Sequence, residues 1–466
     1  MPSSRPALTW AVVAILQSGA LLLGGCATAR YRRPDVPVPP SYRGDSLEPA
    51  AGSDNSRSLG ELRWQDLIRD EELSKLIQEA LSHNYDVQIA AARVLQARAQ
   101  LTVARSSEFP LVAAQGSYSN SRSLAFDSSE TSLSVSAGWQ LDLWGQIRNM
   151  TASARAGLLA SEQARRVVLQ TLVGDVANGY FLLQDLDLEL QITRHALQTR
   201  EESLALVRLR VDNGYSSELD LRQAEVLVEG AHTELTGLEL QIERTENQLD
   251  VLLGRNPGPV IRTTALLEKE LRPAFPPGLP STLLDRRPDI RQAEQELIAS
   301  HALVAVARAA YFPTISLTSS SGFESSALHN LFSSLASTWL VGPVISLPIF
   351  NAGSIRAGVL GAESQQQQAL LLYQKTVQQA FREVADALVE RRKLAELRIQ
   401  QERLVESLRQ AVELADLRYR GGVANYLDYL DSERQLLDAQ VLYVQIRREE
   451  LTNVVTLYQA LGGGWQ

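Results

Sequence analysis

Asp428 and Asp431 come nearest, in type and spacing, to a chemical site in this chain. They stand three residues apart, just after the stretch Leu-Arg-Tyr-Arg-Gly-Gly-Val-Ala-Asn at 417–425. On a helix this spacing stacks two carboxylates on one face, a turn apart. Such acids attract cations and, where like charges crowd together, take up protons more readily. They can equally satisfy the free amides of a helix N-terminus. Asp428 lies three residues after Asn425 and Asp220 three after Ser217, so both fit a first helical turn. Asp431 lies beyond that turn, where capping explains little. Nothing joins these acids into an enzyme. His83, His195, His232, His301 and His329 are scattered without ligand spacing, and Cys26 is the only cysteine. There is no His–carboxylate constellation and no Gly-rich phosphate loop, so neither enzymatic activity nor a cofactor is expected.

The elements that must position the acids are long. Apolar residues recur at helical spacing on both sides of Gly421 and Gly422. Those glycines can take the positive φ that ends a helix, and Asn425 can cap the next one. The stretch is therefore a tight turn between two antiparallel helices. The chain makes this turn twice, with Gly214 matching Gly422 (422 − 214 = 208) and Asp220 matching Asp428 (428 − 220 = 208), which reads as a tandem repeat. Helices are expected over 146–211 and 354–420, each about 100 Å long at 1.5 Å per residue. Return helices follow over 217–253 and 425–461. In these, Val228, Leu235, Ile242 and Leu249, and again Leu430, Leu437, Val444, Leu451 and Tyr458, recur every seven residues. A seven-residue period implies left-handed coiled-coil packing.

Ahead of each long helix, a helical pattern (from Trp64, with an Ala- and Gln-rich part over 84–108, and again in the second half) stops at Phe109-Pro110 and Phe312-Pro313. Polar and apolar residues then alternate over 111–124, 130–143, 314–324 and 337–350, the mark of strands. About ten residues is enough for a tilted strand to cross a bilayer. The chain begins with Arg5, an apolar run over 7–23 and Leu-Gly-Gly-Cys, a signal peptide ending in a motif that resembles a bacterial lipobox. Cys26 is then the lipidated first residue of the mature chain, and Ala27 lacks the Asp that holds such lipoproteins at the inner membrane. The expected layout is 1–25 signal peptide, 26–60 lipidated extended segment, 61–255 first repeat, 256–287 Pro-rich linker and 288–466 second repeat. A net charge of −9 gives no general affinity for nucleic acid.

Four strands cannot sit in hydrocarbon with bare edges, because each unpaired backbone group costs several kcal/mol. Closed barrels need about eight strands. Several chains must therefore share one barrel, with the long helices forming a conduit beyond it. The doubled turn, the two Phe-Pro breaks, Leu283-Leu284-Asp285-Arg286-Arg287-Pro288-Asp289-Ile290 and Ala460-Leu461-Gly462-Gly463-Gly464-Trp465 together resemble the outer membrane efflux channel (TolC-like) family, in its lipoprotein branch. The resemblance implies a mainly α protein with a membrane β-barrel: a homotrimer with a 12-stranded barrel, a periplasmic tube of 12 helices, and contact with outer membrane lipid. It also implies a periplasmic adaptor and an inner-membrane proton- or ATP-driven pump as partners. By position, Asp428 and Asp431 match the constricting carboxylates at the closed end, and Leu427 matches an apolar plug. Tyr419 matches a tyrosine tying neighbouring helices, with Asp220 in its partner region. Ala424 stands where some members carry a tie-forming Arg. The exposed turns at Gly214, Gly421 and Gly422 are the expected adaptor contacts. Two other readings remain open: a duct for secreted proteins or peptides, and a lipid-anchored coiled-coil spacer without a pore.

Overall fold

The computed structural model describes residues 31–43, 59–61, 63–67, 70–122, 127–262, 266–267 and 280–465. The signal peptide, Cys26, part of the N-terminal segment and part of the Pro-rich linker lie outside the described residues. The chain divides into two compact units. One is Met1–Val36, Val94–Ser161 and Gln292–Gln374, and the other is Pro37–Arg93, Glu162–Arg291 and Lys375–Gln466.

The first unit contains a four-stranded antiparallel sheet of order β1-β2-β3-β4. Its strands are β1 (Leu111–Arg122), β2 (Asp127–Leu141), β3 (Thr314–Ser325) and β4 (Ser337–Ser346). Alternation gives the sheet two unlike faces. Leu133, Val135, Ala137, Trp139 and Leu141 lie opposite Phe323, Ser321, Ser319, Leu317 and Ile315 on the apolar face. Ser132, Ser134 and Ser136 fall on the other, where Ser117 and Ser132 share a hydroxyl hydrogen bond of 2.8 Å. The apolar face is uncovered, with Val135 52% exposed. A bare apolar face on strands of 10 to 15 residues is the pattern of strands turned toward lipid. No helix among the described residues is long and apolar enough to cross a membrane.

The Phe-Pro breaks act as expected. Helices α2 (Tyr85–Ser106) and α6 (Pro288–Ala309) both stop just before them. At the β2–β3 junction Trp144 stacks on Phe312, with centroids 4.8 Å apart, and its indole N–H donates to the Pro313 carbonyl at 2.7 Å. Residues 31–43 of the N-terminal segment are free of helix and strand, as their prolines require, but they do not hang loose. Arg33 grips Glu294 through Nε and Nη2 at 2.7 and 2.5 Å.

Two unbroken helices of 67 residues each, α3 (Gln146–Asp212) and α7 (Ser354–Arg420), run through both units. In the second unit α4 (Glu218–Leu253) and α8 (Tyr426–Ala460) return from them. The residues spaced by sevens face the core. Leu430, Leu437, Val444, Leu451 and Tyr458 are all buried, as are Val228, Ile242 and Leu249, while Leu235 is half-buried. The helical pattern ahead of the first strand is not one rod. A short turn at Trp64–Leu67 precedes α1 (Glu71–His83), and Asn84 separates α1 from α2. Asn84 is buried because its side chain spans a junction. It donates to the Leu252 carbonyl (2.9 Å) and accepts from the Val87 amide (3.1 Å). Gly254 closes α4 with φ 75°, and a Cβ there would meet the His83 carbonyl at 2.5 Å, so the backbones pass too closely for a side chain. Among its described residues the Pro-rich linker contributes one short helix, α5 (Pro280–Arg286). Arg262 pins its start by pairing with Asp187 on α3 (2.6 Å) and with Glu246 on α4.

Candidate gate at the helix turns

The two turns share one backbone design. At the first, the Gly214 amide donates to Val211 and the Tyr215 amide to Arg210; at the second, Gly422 donates to Tyr419 and Val423 to Arg418. This is a Schellman motif each time, with Gly214 at φ 77° and Gly422 at φ 73°. The motif needs one left-handed residue, so Gly421, expected to share that role, keeps a negative φ and ends the helix with its amide on the Leu417 carbonyl.

Chemistry diverges after the glycines. At the first turn Ser217 and Asp220 form a capping box. The Asp220 amide donates to Ser217 Oγ (3.1 Å), and the Ser217 amide to Asp220 Oδ2 (3.0 Å). Ser216 Oγ adds a second bond to that carboxylate at 2.8 Å. Partial burial pushes the Asp220 carboxyl up, but these donors outweigh it and hold it below the usual range. At the second turn Asn425 occupies the N-cap position with extended dihedrals, yet its side chain makes no capping bond, contrary to expectation. Leu427, Asp428 and Asp431 are all exposed. Asp431 accepts from Arg434 (2.8 Å) and Gln435 (2.6 Å), which hold its carboxyl low. Leu427 and Asp431 also line an apolar groove between α4 and α8, opposite Leu219 and Val226.

Tyr419 faces inward. It joins Tyr426 and Tyr429 with ring centroids 5.1 and 6.4 Å away, in a core completed by Val207, Ala224 and Leu430. The Arg210 guanidinium lies 4.5 Å above the Tyr419 ring and reaches the carbonyls of Tyr419 and Arg420, so the last turns of α3 and α7 are tied through one cation. Burial pushes the Tyr426 hydroxyl up to about 12, against the hydrogen bond it shares with Ser203. Above this aromatic layer Arg200 Nε meets Glu433 Oε1 at 3.2 Å, and Arg200 Nη1 reaches the Leu227 carbonyl at 3.5 Å. That buried ion pair, which binds α3 to α8 and α4, escaped the reading of the sequence. One signal was available. Glu433 lies three residues after Leu430 and seven after Tyr426, a core position in the heptad of α8, where a charge needs a partner.

A protein-family model described as "Outer membrane efflux protein" matches residues 76–255 and 279–463. The chain is 38% identical to the probable efflux pump outer membrane protein TtgC of Pseudomonas putida over 96% of its own length and 94% of that protein's. It is 36% identical to the cation efflux system protein CusC of Escherichia coli, over 96% and 97%. Among solved structures it superposes on the outer-membrane channel OprN with a TM-score of 0.85 at 32% identity, covering 94% of this chain and 99% of that one. On the open state of the Neisseria gonorrhoeae MtrE outer membrane channel the TM-score is 0.84 at 32% identity, covering 94% and 98%. The long α-hairpins, the four-stranded sheet, the paired turns and these likenesses agree: the chain belongs to the outer membrane efflux protein family.

Proposed function

We propose that this chain is the outer membrane channel subunit of a tripartite efflux system, a passive duct for small molecules. Three copies close a 12-stranded barrel, and their long hairpins form a tube that extends into the periplasm, where an adaptor and an inner-membrane pump engage it. One observation carries the reading. Among the described residues no strand pairs with the outer edge of β1 or of β4, and in hydrocarbon each bare backbone group costs several kcal/mol. A chain of this family with four such strands satisfies its edges by sharing them with other copies. Small molecules are favoured over polypeptides as cargo because relatives carry the names of antibiotic, toluene and cation efflux proteins.

Lipidation at Cys26 anchors the mature chain to the outer membrane. The tube closes at the second turn, where Asp428 and Asp431 from three copies gather near the axis with Leu427. Tyr419 and Asp220 hold the neighbouring helices, and the turns at Gly214, Gly421 and Gly422 meet the adaptor. Reconstituting the purified full-length chain into planar bilayers tests the reading. A trimeric mass together with stepwise ion conductance is expected. A monomer that leaves the bilayer tight would refute it.

A further inference from the structure

The two halves of the chain leave and enter the sheet in related words. After β2 the sequence reads Leu141-Asp142-Leu143-Trp144, and after β4 it reads Leu347-Pro348-Ile349-Phe350. Before β3 stands Phe312-Pro313, and before β1 stands Phe109-Pro110. Where β2 meets β3 the aromatic members of these words touch: Trp144 stacks on Phe312 at 4.8 Å with an interplanar angle of 21°. Their counterparts, Phe350 and Phe109, lie just beyond the ends of the two outer strands. Phe350 is 88% exposed and Phe109 63%. The chain also sets Phe350 apart from its helix. Trp144 directly precedes Gly145, whereas Asn351 and Ala352 (φ 49°) intervene between Phe350 and the matching Gly353.

We propose that Phe350 of one copy stacks on Phe109 of the next, repeating between chains the Trp144–Phe312 contact made within one, and thereby sets the register in which β4 meets the next copy's β1. The proposal rests on the shared-barrel reading above and adds its register. Within the chain, Gln140 lies opposite Ser316 and Leu141 opposite Ile315. Matching Leu141 to Leu347 and Phe312 to Phe109 transfers this to Ser346 opposite Ala113 and Leu347 opposite Val112. Continued along both strands, the same pairing puts Ser337, the first residue of β4, opposite Arg122, the last of β1. One pair of strand ends therefore coincides without having been used to set the match, and at the other β1 runs two residues past the end of β4. Alternation alone cannot choose this register, because a slip of two residues returns every side chain to the same face. A ring pair at the strand ends can, since offset-stacked aromatics gain more than their buried area.

The test uses full-length protein in detergent, with Ser346→Cys combined with Ala113→Cys, both at exposed positions. Mild oxidation should give covalent oligomers on a denaturing gel. Ser346→Cys with Gln115→Cys, which reports the two-residue slip, should stay monomeric, as should the parent carrying Cys26 alone. Phe350→Ala and Phe109→Ala should each lower the temperature at which the native oligomer dissociates, and the double variant should lower it no further. Crosslinking through Gln115, or additive effects of the two rings, overturns the clasp while leaving the shared barrel in place. A monomer by native mass spectrometry with neither pair crosslinked removes the shared barrel and the clasp together.

Discussion

Removing Glu433 should loosen the second turn far more than removing any exposed charge near it. Its carboxylate faces Arg200 at 3.2 Å, with the two side chains 9% and 7% exposed. Deleting one partner of a buried pair strands the other charge and costs about 3–5 kcal/mol, whereas replacing both with apolar residues of similar volume is close to neutral. At about 1.4 kcal/mol per factor of ten, Glu433→Leu should raise the local opening constant around 427–437 by about 10²- to 10⁴-fold. Arg200→Met combined with Glu433→Leu should return it near the wild type. The single variants should also differ in their response to pH. A stranded guanidinium cannot shed its proton, so Glu433→Leu should be equally open at pH 5 and pH 8. A stranded carboxylate can gain one, and burial already pushes the Glu433 carboxyl above its usual range despite Arg200. A raised carboxyl contributes stability that is fully present below its unfolded pKa and lost as pH rises through its folded one. Arg200→Met should therefore be mild at pH 5 and severe at pH 8. Amide hydrogen exchange read by mass spectrometry on peptides covering 427–437 measures all of this. Unchanged protection in Glu433→Leu, or a double variant as open as the single ones, would refute the reasoning.

Three further outcomes follow from the turns and the seam above them. Asp431→Ala should raise resting conductance in planar bilayers, because it removes an exposed carboxylate from the proposed constriction; an unchanged closed state would place the constriction elsewhere. Ser217→Ala should cost the first turn about 1 kcal/mol through loss of its cap, seen as faster amide exchange at 217–221. Asn425→Ala should change nothing at the second turn, where the Asn side chain caps no amide; equal effects at both turns would contradict the assignment. Asp185 on α3 is pushed up to about 7, by burial first and then by Glu189 and Glu449, against Arg448. Its stabilising contribution is complete below the ordinary value of 3.8 and disappears as pH rises through about 7. Asp185→Asn should therefore unfold at a higher temperature than wild type at pH 8 and flatten the decline between pH 5 and pH 8; a slope left intact would sink this account.

Where a feature rests on local chemistry, the sequence shows it closely. The long helices end within one residue of their expected limits, since Gly145, Gly214, Gly353 and Gly422 all take positive φ beside them. The strands are legible because Ser and Thr alternate with apolar residues, and the sevens on α8 are buried without exception. Features held by distant partners were not legible. Asn84 reads as one more residue of a helix until Leu252, 168 positions away, accepts its amide. The N-terminal segment reads as a loose tether until Arg33 meets Glu294, 261 positions on. Arg200 and Glu433 are 233 apart, and only the misfit of Glu433 in a coiled-coil core hinted at a partner. At the turns, composition suggested more than the backbone uses: either glycine of the second turn can be left-handed, but the motif has room for one.

The inequality of the two turns bears on which hairpin would supply the proposed constriction. Their backbones follow the same hydrogen-bond pattern, so the two turns share a geometry while their side chains differ. In the first, Ser216, Ser217 and the Asp220 carboxylate satisfy one another, and that carboxylate is committed to its own helix. In the second, Ala424 and Asn425 stand where the serines stand, the helix starts without a side-chain cap, and no side-chain donor among the described residues engages the Asp428 carboxylate. An acid engaged twice within its own turn has less capacity left for a passing ion or a neighbouring subunit. An exposed acid beside an exposed Leu427, one turn from Asp431, keeps that capacity. The same difference leaves the second helix less firmly started and anchored chiefly by what lies beneath it, the three tyrosines and the Arg200–Glu433 pair. A hairpin that must change its packing for solute to pass is better fastened by a few buried contacts that break together than by a cap at its tip.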